Sequence, residues 1–269
     1  MLNDNQVNNL IGGIKRAAEI LLTYYRDPQL SISEKADLSP VTEADLASNQ
    51  YITHFLAKEF PGIPVISEEG DKDDFNIRKD NEYSWILDPL DGTKEFIAQN
   101  DEFAINLALL HRDRPIFGII AIPAKDLIYY AVKGKGSWKL NPNGLLQRLP
   151  LHHSDYRKTK KIVALISRSH SGDREKEFIN QLKIRGWSME IRPTGSSYKH
   201  VLLAEGVGHI YAKPGICWEW DTAPGQIILE EAGGSVVRLD NGEPLVYNKE
   251  YFSNPDLIMW APGVFIPLQ

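Results

Sequence analysis

At 269 residues, 42% of them hydrophobic and 25% charged, the chain can bury a sizeable core as one large domain or two tightly packed lobes, and it reads as a soluble globular protein. A formal net charge of -6 argues against a nucleic-acid polymer as partner, while leaving room for a local basic pocket that holds a small anion. Cys217 is the single cysteine, which excludes an internal disulfide and a thiolate metal site, and no apolar run approaches membrane-spanning length.

The start, Met1 to Asp4, lacks a basic stretch followed by an apolar one, so no secretory leader is expected. A cytoplasmic location is the expectation, with peripheral attachment to the inner membrane left open. From Val7 to Tyr25 the apolar residues recur at steps of three, four and one, which predicts a helix laying one face on a core. A second helical pattern runs through Ile52, Phe55, Leu56 and Phe60, and ahead of it Thr42 and Asp45 have the spacing of a capping box. Pro61-Gly62-Ile63-Pro64 stops that helix, and Val65-Ile66 predicts a short strand delivering Ser67-Glu68-Glu69-Gly70 at its end. The segment Asp71 to Glu82 is charged and poor in apolar residues, the composition of a mobile surface loop and a candidate lid.

Tyr83 to Leu87 reads as a buried strand, after which the chain changes character at Asp88-Pro89-Leu90-Asp91-Gly92-Thr93-Lys94-Glu95-Phe96. Pro89 has no N–H and is expected to end the ladder and turn the backbone, keeping Asp88 and Asp91 at one corner. A helix starting at Gly92-Thr93 would point free N–H groups at whatever lies beside the acids, a usual place for a phosphate oxygen. Two carboxylates a few ångströms apart raise one another's pKa unless a proton or a metal compensates. The candidate ligands are all oxygen, which suits Mg²⁺ better than zinc. Taken alone, Asp-Pro and Asp-Gly are also ordinary turn dipeptides, and Asp88 can equally be a helix cap.

Phe103 to Leu110, Pro115 to Ile122, Leu127 to Val132 and Ser137 to Leu140 read as consecutive strands of an antiparallel sheet. A polar, basic stretch from Leu151 to Lys161 then predicts a division into lobes 1–157 and 158–269, the first carrying the acidic motifs and the second the substrate-binding motifs with the last acid. The second half alternates strand and helix, as in a layered α/β lobe: Ile162 to Ile166, Glu175 to Arg185, Met189 to Arg192, Tyr198 to Glu205 and His209 to Ala212. Near its end Trp218-Glu219-Trp220-Asp221-Thr222-Ala223-Pro224-Gly225 opens a helix, with Asp221 expected at the N-cap and Pro224 in the first turn.

Asp45, Glu68, Asp88, Asp91 and Asp221 thus fall at element ends or turns, where scaffolds present reactive groups. Val-Thr-x-x-Asp, Glu-Glu, Asp-Pro-Leu-Asp-Gly-Thr and Trp-Asp-Thr-Ala-x-Gly occur in one order over nearly the whole chain. This pattern resembles the inositol monophosphatase superfamily of lithium-sensitive, Mg²⁺-dependent phosphatases. The resemblance implies an α/β (α+β) fold, a layered αβαβα sandwich, and two or three Mg²⁺ ions held by the side chains of Glu68, Asp88, Asp91 and Asp221 and the carbonyl of Leu90. It implies that Thr93, paired with Asp45, orients the attacking water and that the Gly92 and Thr93 amides hold the phosphate. Glu69 is left without a role.

Within that superfamily, Asp-Gly-Thr-Lys-Glu-Phe, Ser167-Arg168-Ser169-His170 and Gly195-Ser196-Ser197-Tyr198-Lys199 look most like the 3′(2′),5′-bisphosphate nucleotidases of the CysQ type. The implied reaction takes 3′-phosphoadenosine 5′-phosphate to AMP, or its sulfated form to adenosine 5′-phosphosulfate, in sulfur assimilation. A second phosphate needs an anion site away from the metals, for which Arg168, His170, Ser196, Lys199 and Lys213 are candidates, with Asp221 also beside the substrate. Trp218 and Trp220 either flank the nucleoside or belong to the core. The alternatives are an inositol monophosphatase or broad sugar phosphatase and, from another class, a silent nucleotide sensor, which would have no use for Asp45 and Thr93. Both monomers and homodimers are compatible with the sequence.

Overall fold

The computed structural model describes residues 2–266 apart from 28, 35–39, 71–73, 154, 170–171 and 185. In chain order it contains α1 (Asp4–Tyr24), β1 (Ile32–Glu34), β2 (Pro40–Thr42), α2 (Glu43–Glu59), β3 (Val65–Ser67), α3 (Phe75–Arg78), β4 (Tyr83–Asp91), α4 (Thr93–Ile97), β5 (Ala104–His111), β6 (Arg114–Ile122), β7 (Leu127–Val132), β8 (Gly136–Leu140) and β9 (Leu146–Arg148). The second half adds α5 (Tyr156–Thr159), β10 (Lys161–Ser167), α6 (Asp173–Ile184), β11 (Ser188–Thr194), α7 (Tyr198–Glu205), β12 (Ile210–Lys213), α8 (Glu219–Glu231), β13 (Ser235–Arg238) and β14 (Leu257–Trp260). No described helix is long and apolar enough to cross a membrane.

Strands β3 to β9 form one sheet in sequence order, parallel only at β3–β4, and β11-β10-β12-β14-β13 form a second, mixed sheet. The central strands of the first sheet are apolar on both faces because both are covered. Trp85, Leu87, Ile105, Leu107, Phe117 and Ile119 pack with α1 and α2. Their neighbours Ile86, Ala108, Ile120 and Tyr129 point the other way, into a core shared with α7, α8 and the second sheet. The period of two therefore feeds two cores at once. With α5 and α6 packed on β10, β11 and β12, the layers run α, β, α, β, α, the predicted sandwich. The core between the sheets draws residues from both sides of position 157.

Three expectations are corrected. Strand β4 does not end at Leu87: its pairing with β5 passes from Asp88↔Asn106 to Asp91↔Ala104 across a bulge, so Pro89 sits where a missing N–H costs no ladder bond. Helix α8 begins at Glu219, which puts Trp218 at the N-cap, Asp221 at the third helical position, and Pro224 beyond the first turn. The described part of the 71–82 segment is anchored rather than loose. Arg78, 2% exposed, donates to Asn248 Oδ1 at 2.6 Å and to the carbonyls of Lys249 and Glu250, and lies over the Phe252 ring. A composition rule misses this because one buried guanidinium fixes a segment that is otherwise polar.

Helix α8 crosses the first sheet at Gly118. A Cβ there would stand 2.5 Å from Ile227 Cγ2 and 2.6 Å from the Pro224 carbonyl oxygen, so only glycine lets helix and strand approach this closely. Gly118→Val is expected to cost about 1–3 kcal/mol by overpacking, read as a melting temperature lowered by several degrees.

Candidate active site

A cleft of about 280 Å³ opens where the carboxyl end of β4, the start of α4 and the start of α8 meet the second sheet. Glu68 follows β3 directly and continues its parallel pairing, donating its N–H to the Leu87 carbonyl at 3.0 Å. Asp88 precedes the bulge and accepts from the Leu90 N–H at 3.0 Å. Asp221 folds back to accept the Trp218 N–H at 2.8 Å, which closes the first turn of α8. One carboxylate oxygen from each of Glu68, Asp88 and Asp221 lies within 4.8 Å of the other two, the one such group among the described residues.

Burial pushes the Asp88 carboxyl well above the usual carboxylate range, and the charges of Glu68, Asp91 and Asp221 push it further. Asp221 is raised in the same way, by burial and then by Asp91 and Glu68. Asp91 stands outside the close trio yet shares its field. Its pKa is raised by burial against the pull of Lys199 and of hydrogen bonds from Ser197 and Asn106. All-oxygen donors that repel one another suit a hard divalent cation, which supplies the missing counter-charge. Leu90 lines the same cleft, and its carbonyl accepts from the Thr93 hydroxyl.

Beside the acids, Asp45 is buried at the start of α2. Its Oδ2 accepts the Thr42 N–H at 2.7 Å and the Thr42 hydroxyl at 2.6 Å, so the predicted capping box forms. Its Oδ1 faces the Thr93 hydroxyl at 3.3 Å, and that hydroxyl lies equally far from the Leu90 carbonyl. Capping therefore leaves one oxygen of Asp45 for Thr93. Gly92, at φ +85°, takes the left-handed turn from β4 into α4, whose first N–H groups have no partner inside the helix. The Ser48 hydroxyl donates to the Pro89 carbonyl at 2.9 Å and pins the bulge to α2.

The opposite wall comes from the second sheet. Ser196, Lys199 and Lys213 line the cleft as predicted. Lys199 is buried and gives hydrogen bonds to the Thr194 and Ser196 carbonyls at 3.2 and 2.6 Å. Burial pulls its pKa down, while Asp91 and Glu95 favour its charged form. Ser196 holds a left-handed φ of +45°, unusual for serine, beside Gly92. Arg168 is not part of the lining: it makes a two-pronged pair with Glu102 at 2.8 and 2.9 Å and donates to the Pro193 carbonyl. His170 lies outside the described residues. Glu69 is half-buried beside Glu68 and outside the close trio.

Sequence reasoning passed over Asn106 and gave Ser197 no role of its own. Asn106, fully buried in β5, donates to Asp91 Oδ2 at 3.1 Å; the Ser197 N–H donates to the same oxygen at 2.5 Å, and the Ser197 hydroxyl to Asn106 Oδ1 at 2.6 Å. This triangle fixes Asp91 from both halves of the chain. One amide inside an otherwise apolar strand was the available signal. Glu95 joins the halves again by accepting the Ser169 hydroxyl at 2.5 Å.

Residues 4–260 match the model of the inositol monophosphatase family. The 3′(2′),5′-bisphosphate nucleotidase CysQ of Escherichia coli O6:H1 is 37% identical over 237 residues, 88% of this chain and 91% of the relative. The CysQ of Aggregatibacter actinomycetemcomitans is 32% identical over 96% of this chain and 94% of its own. Among solved structures, CysQ from Bacteroides thetaiotaomicron superposes with a TM-score of 0.82 at 37% identity, covering 95% of this chain and 97% of that one.

A carboxyl whose folded pKa is raised holds its proton more tightly when folded. Stability without divalent ions therefore falls as pH rises through the folded pKa values of Asp88 and Asp221, and recovers on acidification. Asp88→Asn removes one repelling charge, and at pH 8 in chelator it is expected to melt above the parent. Added Mg²⁺ should raise the melting temperature of the parent and leave that of the variant nearly unmoved, both read by thermal unfolding.

Proposed function

Since the chain belongs to the inositol monophosphatase family, we propose that it is a Mg²⁺-dependent 3′(2′),5′-bisphosphate nucleotidase that hydrolyses the 3′-phosphate of 3′-phosphoadenosine 5′-phosphate, or of its sulfated form, by attack of water. The observation that carries the reading is the convergence of Glu68, Asp88 and Asp221 next to the Asp45–Thr93 pair and the start of α4. The CysQ relatives support the choice of substrate class.

In this reading Glu68, Asp88, Asp91, Asp221 and the Leu90 carbonyl hold two or three Mg²⁺ ions. Such ions supply Lewis acidity, favouring hydroxide at neutral pH and offsetting charge on the leaving oxygen. Thr93 has one hydroxyl proton, directed to Asp45 Oδ1 or to the Leu90 carbonyl, so its lone pairs stay available to accept a hydrogen bond from the attacking water, and Asp45 can take the Thr93 proton if Thr93 takes one from the water. That contact turns the water's own lone pair toward phosphorus. The Gly92 and Thr93 N–H groups receive the phosphoryl oxygens, and the left-handed turn at Gly92 aims them. Lys199 and Lys213 face the substrate's other phosphate from the opposite wall, with Ser196 beside them. Arg168 acts at one remove: through Glu102, which also accepts the Gly195 N–H at 2.7 Å, it braces the loop carrying Ser196. The first lobe, 1–157, then supplies the chemistry, and the second, 158–269, the recognition together with Asp221.

Phosphate release from 3′-phosphoadenosine 5′-phosphate, inositol 1-phosphate and fructose 1,6-bisphosphate, with and without Mg²⁺, tests the reading. The bisphosphate nucleotide should give the highest kcat/KM; a preference for the inositol ester would reverse the assignment. Thr93→Val should lower kcat by about 10²–10⁴-fold with little change in KM. Asp91→Asn with full Mg²⁺-dependent turnover would remove Asp91 from the metal set.

A further inference from the structure

Trp218 is 38% exposed, a large aromatic facing solvent at the rim of a cleft whose floor is acidic. Its backbone is held from three directions. The N–H goes to Asp221, the carbonyl accepts from the Asn254 side chain at 2.9 Å, and the residue bridges to Ser253. One ring face is equally fixed: it stacks on Trp220 with centroids 5.7 Å apart and planes inclined by 16°. Trp220 is itself buried and leans on Phe252, 5.4 Å away. The outer indole face therefore stands in the cleft with little freedom left to lose. Ile216, 72% exposed, extends the apolar surface along the same wall, and Lys213 lies just before it.

Neither the acids nor the lysines can use such a surface, since both address charge. From this we infer that Trp218, with Ile216 beside it, is the base-recognition platform of the cleft: the outer indole face stacks on the nucleobase of the substrate and selects nucleotides over base-free phosphate esters. The inference rests on the bisphosphate nucleotidase reading and adds the group that reads the base. A purine offers a π-face without a required hydrogen-bond pattern, and such stacking is sequence-tolerant. The pair Trp218–Trp220 divides its roles, the inner ring supporting and the outer one binding. Because the platform touches the base and not the phosphate, it acts on KM.

The test compares 3′-phosphoadenosine 5′-phosphate with an abasic tetrahydrofuran 3′,5′-bisphosphate as substrates for the parent, Trp218→Ala, Trp218→Leu and Trp218→Phe. For the nucleotide, Trp218→Ala should raise KM roughly 5- to 150-fold while kcat stays within about twofold, and Trp218→Phe should recover most of the loss. For the abasic ester KM should be the same in all four proteins. Trp218→Leu keeps the apolar cover on Trp220 and should behave like Trp218→Ala, so it serves if the alanine variant fails to fold. Equal KM increases for both esters would mean a structural role and overturn the inference, as would an unchanged KM for the nucleotide. A parent that hydrolyses neither bisphosphate would instead defeat the nucleotidase reading itself.

Discussion

Glu68, Asp88 and Asp221 bring one carboxylate oxygen each within 4.8 Å of the others, with Asp88 buried between two partly exposed acids. Asp88 and Asp221 are both driven well above the ordinary carboxylate range, by burial first and then by the neighbouring acids. The rest of the molecule is built to keep them together in spite of that. The β4 bulge with Pro89 holds Asp88, the close crossing of α8 at Gly118 and its first turn hold Asp221, and the parallel bond from the Glu68 N–H to the Leu87 carbonyl holds Glu68. A cluster that disfavours its own charge has a built-in demand for a divalent cation, and that demand links the fold to phosphoryl chemistry.

The two halves of the chain do not merely abut at this site. Asp91 is gripped by Asn106 from the first sheet and by Ser197 from the second. Glu102 and Glu95 reach across to Arg168, Gly195 and Ser169. Arg78 ties the segment after Glu68 to residues 248–250, and buried Glu219 accepts the Asn248 and Lys249 N–H groups at the start of α8. The polypeptide on either side of the acidic cluster is thereby cross-braced by polar contacts, of which the Arg78–Asn248 and Asn248–Glu219 bonds are buried and costly to break. Such bracing suits a site that depends on preorganised groups more than on large closure.

Most strands and the long helices were legible in the sequence because each has one dominant local signal. Residues 83–87, 104–111 and 117–122 are predominantly apolar, α1 repeats at helical spacing, and Thr42 with Asp45 forms a capping box within a single helical turn. The acidic motifs were legible for a related reason: carboxylates beside proline, glycine and threonine at element ends have few purely structural uses in combination. Short elements such as β9, α3 and β14 were not read: β9 and α3 are too short to show a period, and β14 owes its place to β12 and β13, distant in sequence.

The sequence by itself determined the alternation of elements and the acids, Glu68, Asp88 and Asp221 among them, that gather at the cleft. Tertiary structure alone decided that Asp91 stands apart from the close trio, that Arg168 braces a loop through Glu102, that the described residues 74–82 are tied down by Arg78, and that Trp218 lines the cleft while stacking on Trp220. The reason is physical. Periodicity and capping act over a few residues and leave a trace in local composition, whereas the direction of a side chain, its burial and the charge facing it are fixed by how separate elements pack.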